Sequence, residues 1–441
     1  MIQKLVNRGY SEFITSIYPW NEDYEPTASR VRNVTFQVTD DCCLKCSYCY
    51  QGHKGHRFMT KETAKKGVDL LFELYDKNEG TFINHNTKAI ILDFIGGEPL
   101  MNIEVIDYIC SYFMEECLRR DHPWTYTWRA AMISNGVLYF EPKVQSFLKK
   151  FKGFISFGIT IDGPKEIHDI CRKHHDGTGN FDEAFLAMRH YNENYSNAPD
   201  TKVTIAPENL ADINKIIKFF RDLDIKIINA NCAFEPEWNE NHAKIFYKEL
   251  KAMSDYLLDL NDETTVSLFR EDIFYPMDSK DNNNWCGGTG AMLAFDPDGL
   301  AYPCLRYMPS SLGPDVPPLI CGSVDEGIFE KPEHKALKEY LDSITRRSQS
   351  TDKCWECPIA TGCAWCSGWN YQKYGTVNKR CTNICVMHKA RSLANVYYWN
   401  KWYKQNGEDK KMKMWLPKEE ALKIIDEAEY NMLLDLSKEE D

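Results

Sequence analysis

Short apolar runs alternate with amphipathic segments through the first half of the chain. The apolar runs predict six strands, at residues 33–38, 89–94, 129–133, 155–161, 202–205 and 225–229. Apolar positions at helical spacing predict helices between them, the first capped by Thr60 and the later ones at residues 103–118, 142–151, 181–192 and 213–223. This alternation favours a parallel sheet with right-handed crossovers. The predicted fold class is therefore α/β, with a partial (β/α)6 TIM-type barrel rather than the full eight units.

The periodic pattern weakens after about residue 231. One long helix is expected at residues 240–260, and the chain from there to residue 385 is rich in Gly, Pro, Asp, Asn and Cys. Such a segment builds little hydrophobic core, so we expect metal to stabilise it as a small Cys-rich domain. C-terminal helices follow, the last at residues 418–434. The predicted divisions are an N-terminal extension (1–30), the barrel (31–235), a bridging helical segment (236–280), the Cys-rich domain (281–390) and the C-terminal helices (391–441).

The charge balance narrows the class of partner. The chain has 53 Lys and Arg residues and 65 Asp and Glu residues, which gives a net charge of −12. A surface this acidic repels phosphate backbones, so no nucleic-acid partner is expected. No run of 18 apolar residues and no signal peptide is present in the sequence, so we expect a cytoplasmic protein without a membrane partner.

Cysteine is unusually frequent, with 17 residues. An odd number in a chain without export signals indicates reduced thiols, and clusters of them indicate metal binding or catalysis. Cys42, Cys46 and Cys49 form C-x3-C-x2-C directly after the first predicted strand. Three thiolates hold three irons of a four-iron cluster and leave the fourth iron for a non-protein ligand. A zinc site is the alternative, and it would need His53 or His56 as a fourth ligand.

Three further loops follow predicted strands. They are Gly96-Gly97-Glu98-Pro99 after the second, Ser134-Asn135-Gly136 after the third, and Thr160-Ile161-Asp162-Gly163-Pro164 after the fourth. Barrel enzymes bind their ligands at the carboxyl ends of the strands, and paired glycines let a ligand approach the backbone closely. Together with the Cys triad on the first loop, these motifs predict a cofactor site.

With these motifs, residues 30–235 resemble the radical S-adenosylmethionine (SAM) enzymes. The resemblance implies that Cys42, Cys46 and Cys49 ligate the catalytic 4Fe-4S cluster, whose open iron chelates SAM, and that one electron cleaves SAM to a 5′-deoxyadenosyl radical. Cys43 is extra to the motif. The remaining SAM contacts implied are the Tyr48 backbone at the adenine, the carbonyls of Gly96, Gly97 and Glu98 at the ammonium group, Ser134 and Asn135 near the ribose and methionyl group, and Thr160 where relatives usually carry Ser. Arg172 is expected at the SAM carboxylate, with a surface ion pair as the alternative.

The C-terminal cysteines resemble the SPASM domain of peptide- and protein-modifying radical SAM enzymes, which binds two auxiliary 4Fe-4S clusters. The resemblance assigns Cys286, Cys304 and Cys366 to the first cluster, and Cys354, Cys357, Cys363 and Cys385 to the second. Three 4Fe-4S clusters are thus expected in all. Two points stay open: Cys381 competes with Cys385, and either Cys321 or a substrate thiolate completes the first auxiliary cluster.

The segment from Tyr302 to Met308 resembles maturases of CXXX-repeat (ranthipeptide) precursors. We therefore expect a Cys-containing precursor peptide as substrate, thioether crosslinks as product, and flavodoxin or ferredoxin as electron donor. The alternative is oxidation of Ser or Cys to formylglycine, as in anaerobic sulfatase maturases, or another radical modification such as a C–C crosslink or epimerisation. In the sulfatase maturases an Asp acts as base after Pro-Cys, whereas here Leu305 follows Pro303-Cys304 and accepts no proton.

Overall fold

The structure is a computed structural model that describes residues 31–80, 82–196, 200–284 and 286–438. The predicted N-terminal extension (1–30) lies outside the described residues. The strands are β1 (Val31–Gln37), β2 (Ala89–Ile95), β3 (Trp128–Ser134), β4 (Ile155–Ile159), β5 (Asp200–Ile205), β6 (Ile227–Cys232), β7 (Thr265–Val266), β8 (Met292–Phe295), β9 (Leu300–Tyr302), β10 (Gly322–Ser323) and β11 (Gly327–Ile328).

The α-helices follow the predicted alternation in the first half of the chain. They are α1 (Lys61–Lys77), α2 (Ile103–Arg119), α3 (Pro142–Lys150), α4 (Lys165–Cys171), α5 (Phe181–Asn194), α6 (Ile213–Asp222), α7 (Glu240–Leu260), α8 (Pro309–Leu312), α9 (Pro332–Asp342), α10 (Arg346–Gln349), α11 (Asp352–Trp355), α12 (Ser367–Tyr374), α13 (Cys385–Asn406), α14 (Lys418–Ala421) and α15 (Glu427–Leu436). Thr60 caps α1, as predicted, by accepting a hydrogen bond from the Thr63 amide.

The chain divides into two compact units. The first contains residues 31–45, Cys49–Ile159 and Cys286–Ile344. Its sheet has the order β11-β10-β9-β8-β1-β2-β3-β4. Strands β8, β1, β2, β3 and β4 are parallel, and β9 to β11 continue the sheet antiparallel.

The two faces of this sheet differ in side-chain size. On one face the Phe36 and Phe94 rings lie 6.1 Å apart, and Phe36 packs so tightly on α1 that a Cβ at Gly67 would lie 2.9 Å from its ring. On the opposite face one row in register carries small and polar residues: Ala294, Thr35, Asp93, Ala131 and Ser156. The hydrophobic core therefore lies between the sheet and its helices, and the row of small and polar side chains lies on the other face.

The second unit contains residues 46–48, 160–284 and 345–438. Its sheet is parallel, in the order β5-β6-β7. The long helices α7 and α13 pack together, and the Tyr397 hydroxyl donates a hydrogen bond of 2.6 Å to Asp255. None of the described helices is long and apolar enough to cross a membrane.

The predicted α/β class with parallel strands is confirmed, and all six predicted strands are present with shifts of a few residues at their ends. The single helix expected at residues 418–434 is wrong. The chain forms α14 and α15 instead, because the Asp426 side chain accepts a hydrogen bond of 2.8 Å from the Glu429 amide and so begins a new helix. Strands β8 to β11, expected in the Cys-rich domain, extend the sheet of the barrel strands.

Candidate functional site

The cysteine loop begins where β1 ends. The buried Cys42 sulfur accepts a hydrogen bond from the Leu44 amide at 3.4 Å, and the Asn135 amide group donates to Cys43 at 3.2 Å and, more weakly, toward Cys42 at 3.9 Å. The hydrogen bond from Cys43 lowers the pKa of Cys42 to about 6, against burial and with a further contribution from Lys54. The pKa of Cys43 is raised. Within this pair Cys42 is therefore the thiolate, which suits a ligand.

The Gly-Gly-Glu loop lies directly against the cysteine loop. The Gly97 amide donates to the Thr39 carbonyl at 3.1 Å, and the Glu98 amide donates to the Asp41 carbonyl at 2.8 Å. A Cβ at Gly97 would lie only 2.2 Å from the Asp41 oxygen, so glycine is required there. Backbone hydrogen bonds thus join the two loops after β1 and β2 directly.

The Glu98 side chain ties this loop to the end of β3. Its carboxylate accepts hydrogen bonds from the Ser134 hydroxyl (2.8 Å), the Asn135 backbone amide (2.9 Å) and the Leu100 backbone amide (3.1 Å). Burial raises the pKa of Glu98 to about 7, although these bonds oppose the change. The Glu98 carbonyl accepts a hydrogen bond from the Met101 amide. Ser134 and Asn135, both predicted site residues, are therefore fixed by one buried carboxylate.

The remaining predicted SAM contacts belong to the second unit. The buried Thr160 forms a parallel bridge with Lys202. The Tyr48 hydroxyl donates to the Asp162 carboxylate, which also accepts a bond of 2.9 Å from the Thr204 amide. Arg172 donates to the Tyr48 hydroxyl at 2.8 Å, and its Nε is buried without a hydrogen-bond partner in the described chain.

Arg172 is more than a surface ion pair in this arrangement. Burial lowers its pKa, but Tyr48, Cys46 and Asp162 raise it, and the net change is upward. The guanidinium is therefore a buried cation beside the cysteine loop, and its Nε needs an acceptor. A ligand carboxylate is a suitable acceptor.

Two of the cysteines predicted for the first auxiliary cluster, Cys286 and Cys304, lie close together in the first unit. A Cβ at Gly288 would lie 3.3 Å from the Cys304 Cβ and 3.6 Å from the Cys286 sulfur. Cys321 is fully buried, held by hydrogen bonds of 2.8 Å from its amide to the Ala301 carbonyl and from the Phe329 amide to its own carbonyl. Burial raises the pKa of Cys321, and only a backbone hydrogen bond opposes it.

Four thiols gather in the second unit. Burial raises the pKa of Cys363 to about 12, and Cys385, Cys357 and Cys354 raise it further while Arg380 lowers it. Burial also raises the pKa of Cys385, which Lys389 lowers and Cys357 and Cys354 raise. The four cysteines of the predicted second auxiliary cluster thus lie near one another, with two cations to offset their negative charge.

Cys381 has a different neighbour. Burial raises its pKa to about 11, Lys373 and Tyr374 lower it, and Cys366 raises it. Among the described residues, no three Cys, His, Asp or Glu side chains converge as ligands of one metal ion. A four-iron cluster gives each thiolate its own iron, so its ligands lie farther apart than those of a single zinc ion.

Two polar residues near the site were missed by the sequence analysis. Asp93 lies on the site face of β2, and Tyr50 follows Cys49. Burial raises the pKa of Tyr50. The negative charges of Cys49, Asp93 and Cys304 raise it further, whereas Arg306, whose guanidinium carbon is 4.9 Å from the ring centre, lowers it. The available signal was Asp93 itself, a charged residue within an apolar strand.

A cysteine triad and a Gly-Gly-Glu loop at the carboxyl ends of adjacent parallel strands define an iron–sulfur enzyme with a small-molecule cofactor. Residues 36–220 match the model of the Radical SAM superfamily.

Known relatives span most of the chain at low identity. The radical SAM cyclopropyl synthase TigE of Paramaledivibacter caminithermalis is 21% identical over 391 residues, covering 82% of this chain and 73% of TigE. The antilisterial bacteriocin subtilosin biosynthesis protein AlbA of Bacillus subtilis is 24% identical over 379 residues, covering 82% of this chain and 72% of AlbA. A cysteine-type anaerobic sulfatase-maturating enzyme of Clostridium perfringens is 25% identical over 284 residues, covering 62% of this chain and 73% of the enzyme.

Solved structures share the fold. Native anSMEcpe with bound AdoMet and Cp18Cys peptide has a TM-score of 0.60 at 17% identity, covering 86% of this chain and 99% of that one. Streptococcus suis SuiB bound to precursor peptide SuiA has a TM-score of 0.52 at 13% identity, covering 80% of this chain and 76% of SuiB.

The donor groups of the described residues fit a SAM-binding iron–sulfur site. Soft thiolates suit iron–sulfur clusters, and the buried Arg172 Nε has no hydrogen-bond acceptor among the described residues.

Proposed function

We propose that this chain installs Cys thioether crosslinks in a ribosomally made, Cys-containing precursor peptide. The relatives support a peptide-modifying role, because AlbA is named for bacteriocin biosynthesis and SuiB was solved with its precursor peptide. The described residues contain no disulfide bond, which suits a reducing compartment such as the cytoplasm. Flavodoxin or ferredoxin is the proposed electron donor.

The observation that carries the proposal is the environment of Cys321. Its thiol is fully buried, and no other cysteine of the described chain influences its pKa. In contrast, three other cysteines raise the pKa of Cys363. We therefore assign Cys321 to the hydrophobic core. The predicted ligands of the first auxiliary cluster are then Cys286, Cys304 and Cys366, one fewer than four irons require.

In the proposed reaction, a substrate thiolate is the fourth ligand of the first auxiliary cluster. When bound, SAM and the three clusters supply a 5′-deoxyadenosyl radical and an acceptor for one electron. The protein contributes placement: Arg172 binds the SAM carboxylate, the Glu98 network fixes the loops after β2 and β3, and Cys385 rather than Cys381 completes the second auxiliary cluster. Positioning of this kind accounts for much of enzymatic rate enhancement.

Oxidation of Cys or Ser to formylglycine is the second candidate. The similarity to sulfatase-maturating enzymes in sequence and fold favours it. Leu305, at the position of their base, disfavours it because an alkyl side chain accepts no proton. The two candidates differ in product, since one forms a carbon–sulfur bond and the other an aldehyde.

The test is anaerobic co-expression with a candidate Cys-rich precursor peptide, followed by mass spectrometry. The expected product has lost two hydrogens per crosslink, and the crosslinked cysteines no longer react with iodoacetamide. A peptide with Ser in place of Cys is the substrate control. Cys321→Ala is expected to retain crosslinking, whereas Cys304→Ala is expected to lose it. An aldehyde product would support the second candidate, and an unmodified peptide would refute both.

A further inference from the structure

One carboxylate lies among small side chains on the site face of the first unit. Asp93 lies in a register row whose other members are Ala294, Thr35, Ala131 and Ser156, none larger than threonine. In a neighbouring row of the same face, the side chain of Ile133 is 54% exposed opposite Gly158. The row of Asp93 therefore contains no large side chain, in contrast to the phenylalanine-rich face that packs on the helices.

Among the described residues, one hydrogen-bond partner of the Asp93 carboxylate is identified, and it is not a cation. The Thr35 hydroxyl donates to its carboxylate at 3.2 Å. On β3 it faces Ala131, and from the cysteine loop Tyr50 lies near it. A carboxylate placed in this way keeps lone pairs available for a proton donor. Burial raises the pKa of Asp93 to about 6, and the hydrogen bond from Thr35 partly opposes this. A base with a pKa near the working pH is well suited to general base catalysis.

Asp93 interacts with the same tyrosine ring as predicted ligands of two different clusters. The Tyr50 phenol interacts electrostatically with Cys49, Asp93, Cys304 and Arg306, and the Arg306 guanidinium carbon lies 4.9 Å from its ring centre. Cys49 is a predicted ligand of the SAM-binding cluster, and Cys304 is a predicted ligand of the first auxiliary cluster. Asp93 therefore belongs to the same group of interacting side chains as one predicted ligand of each cluster.

We propose that Asp93 is the proton acceptor for the substrate cysteine thiol. This inference rests on the proposed function for its substrate class and adds the residue that Leu305 fails to provide. The inference places the base on β2, which none of the motifs identified in the sequence includes.

The step balances in the following way. Joining a thiol to a C–H carbon releases two hydrogens, one of which leaves as an atom within 5′-deoxyadenosine. The other is the thiol proton, which moves to the Asp93 carboxylate. The thiolate electron pair and the carbon-centred radical form the C–S bond, and the one surplus electron passes to an auxiliary iron–sulfur cluster, the oxidant of the proposed function.

The experiment compares Asp93→Asn with Asp76→Asn, a matched change of an exposed carboxylate on the outer helix α1. The readouts are iron content, 5′-deoxyadenosine formation and crosslinked peptide. We expect Asp93→Asn to lower crosslinking at least about 100-fold, the lower range for a general base, while 5′-deoxyadenosine forms at the rate of the parent protein. We expect Asp76→Asn to match the parent in all three.

Chemical rescue separates a proton acceptor from a structural residue. A peptide with selenocysteine at the reacting position ionises at much lower pH than a thiol, so it needs no base. We expect it to restore product formation by Asp93→Asn. In the parent protein, the crosslinking rate with the Cys peptide is expected to rise through about pH 6, and the selenocysteine peptide is expected to remove this rise. Failure of rescue together with an unchanged pH profile would overturn the inference.

A titration that needs no peptide gives an independent measurement. Infrared difference spectra of the parent protein minus Asp93→Asn are expected to show one carboxyl group with a midpoint near pH 6, and a midpoint near pH 4 would overturn the inference. If the parent protein yields an aldehyde instead of a crosslink, the proposed function fails. The inference is still tested in that case, because thioaldehyde formation also removes the thiol proton and must be slowed by Asp93→Asn.

Discussion

Replacing Gly97 by alanine tests whether backbone contact between two loops holds the SAM site together. The new Cβ would lie 2.2 Å from the Asp41 oxygen and 2.7 Å from the Cys42 Cβ. Real contacts of this kind are rarely shorter than 3.0 Å, so the loops must separate by roughly 1 Å, and rotation of a side chain cannot relieve the clash. A displacement of about that size costs on the order of 100-fold in rate.

The same separation weakens the hydrogen bonds from Gly97 to Thr39 and from Glu98 to Asp41. At about 0.5–1.5 kcal/mol for each bond, the free energy of unfolding falls by roughly 1–3 kcal/mol. Gly96→Ala, whose Cβ would lie 3.0 Å from Thr39, is expected to have an intermediate effect, and Gly52→Ala, with no atom within 4 Å, is the control.

The assay measures 5′-deoxyadenosine formation and SAM binding on anaerobic protein with matched iron content. We expect activity in the order Gly52→Ala, Gly96→Ala, Gly97→Ala, with the last at least about 100-fold below the first. Equal SAM binding and cleavage by all three variants would show that the loops move freely and would refute the reasoning.

Three further predictions concern charge and cluster ligands. Arg172→Lys is expected to raise the KM for SAM about tenfold because it loses the planar guanidinium, and an unchanged KM would exclude carboxylate binding by Arg172. Cys385→Ala is expected to lower the iron content by about four per chain, whereas Cys381→Ala and Cys321→Ala are expected to keep it, and the reverse result would reassign the ligands. Asp93→Asn is expected to unfold at a higher denaturant concentration than the parent at pH 7.5. The pKa of Asp93 rises from 3.8 to about 6 on folding, so native stability falls as pH rises through that window, and the amide removes the loss. A difference in unfolding midpoint between Asp93→Asn and the parent protein that does not change with pH would contradict this explanation.

Strand positions followed from apolar runs because strands buried on one face require them. The loops after the strands followed from glycine and cysteine spacing. The break between Ala421 and Glu427 was not predictable from periodicity, since the apolar positions continue through it and one capping aspartate decides the outcome.

The roles of side chains were harder to predict than their positions. Glu98 was expected to act through its carbonyl, but its carboxylate also fixes Ser134 and Asn135 across two strands. The neighbours of Asp93 come from β1, β3 and the cysteine loop, and a strand pattern does not state which residues align across a sheet. Cys381 and Cys385 are separated by three residues, and only the fold places them beside different thiols.

The parallel pairing of β1 with β8 has a consequence for how the protein is made. Asn33 aligns with Met292, so one edge of β1 stays uncovered until about 260 more residues have left the ribosome. At roughly 5–20 residues per second this takes on the order of 10–50 s. An uncovered strand edge invites pairing with other chains. We therefore expect fragments that stop before β8 to aggregate more readily than the whole chain.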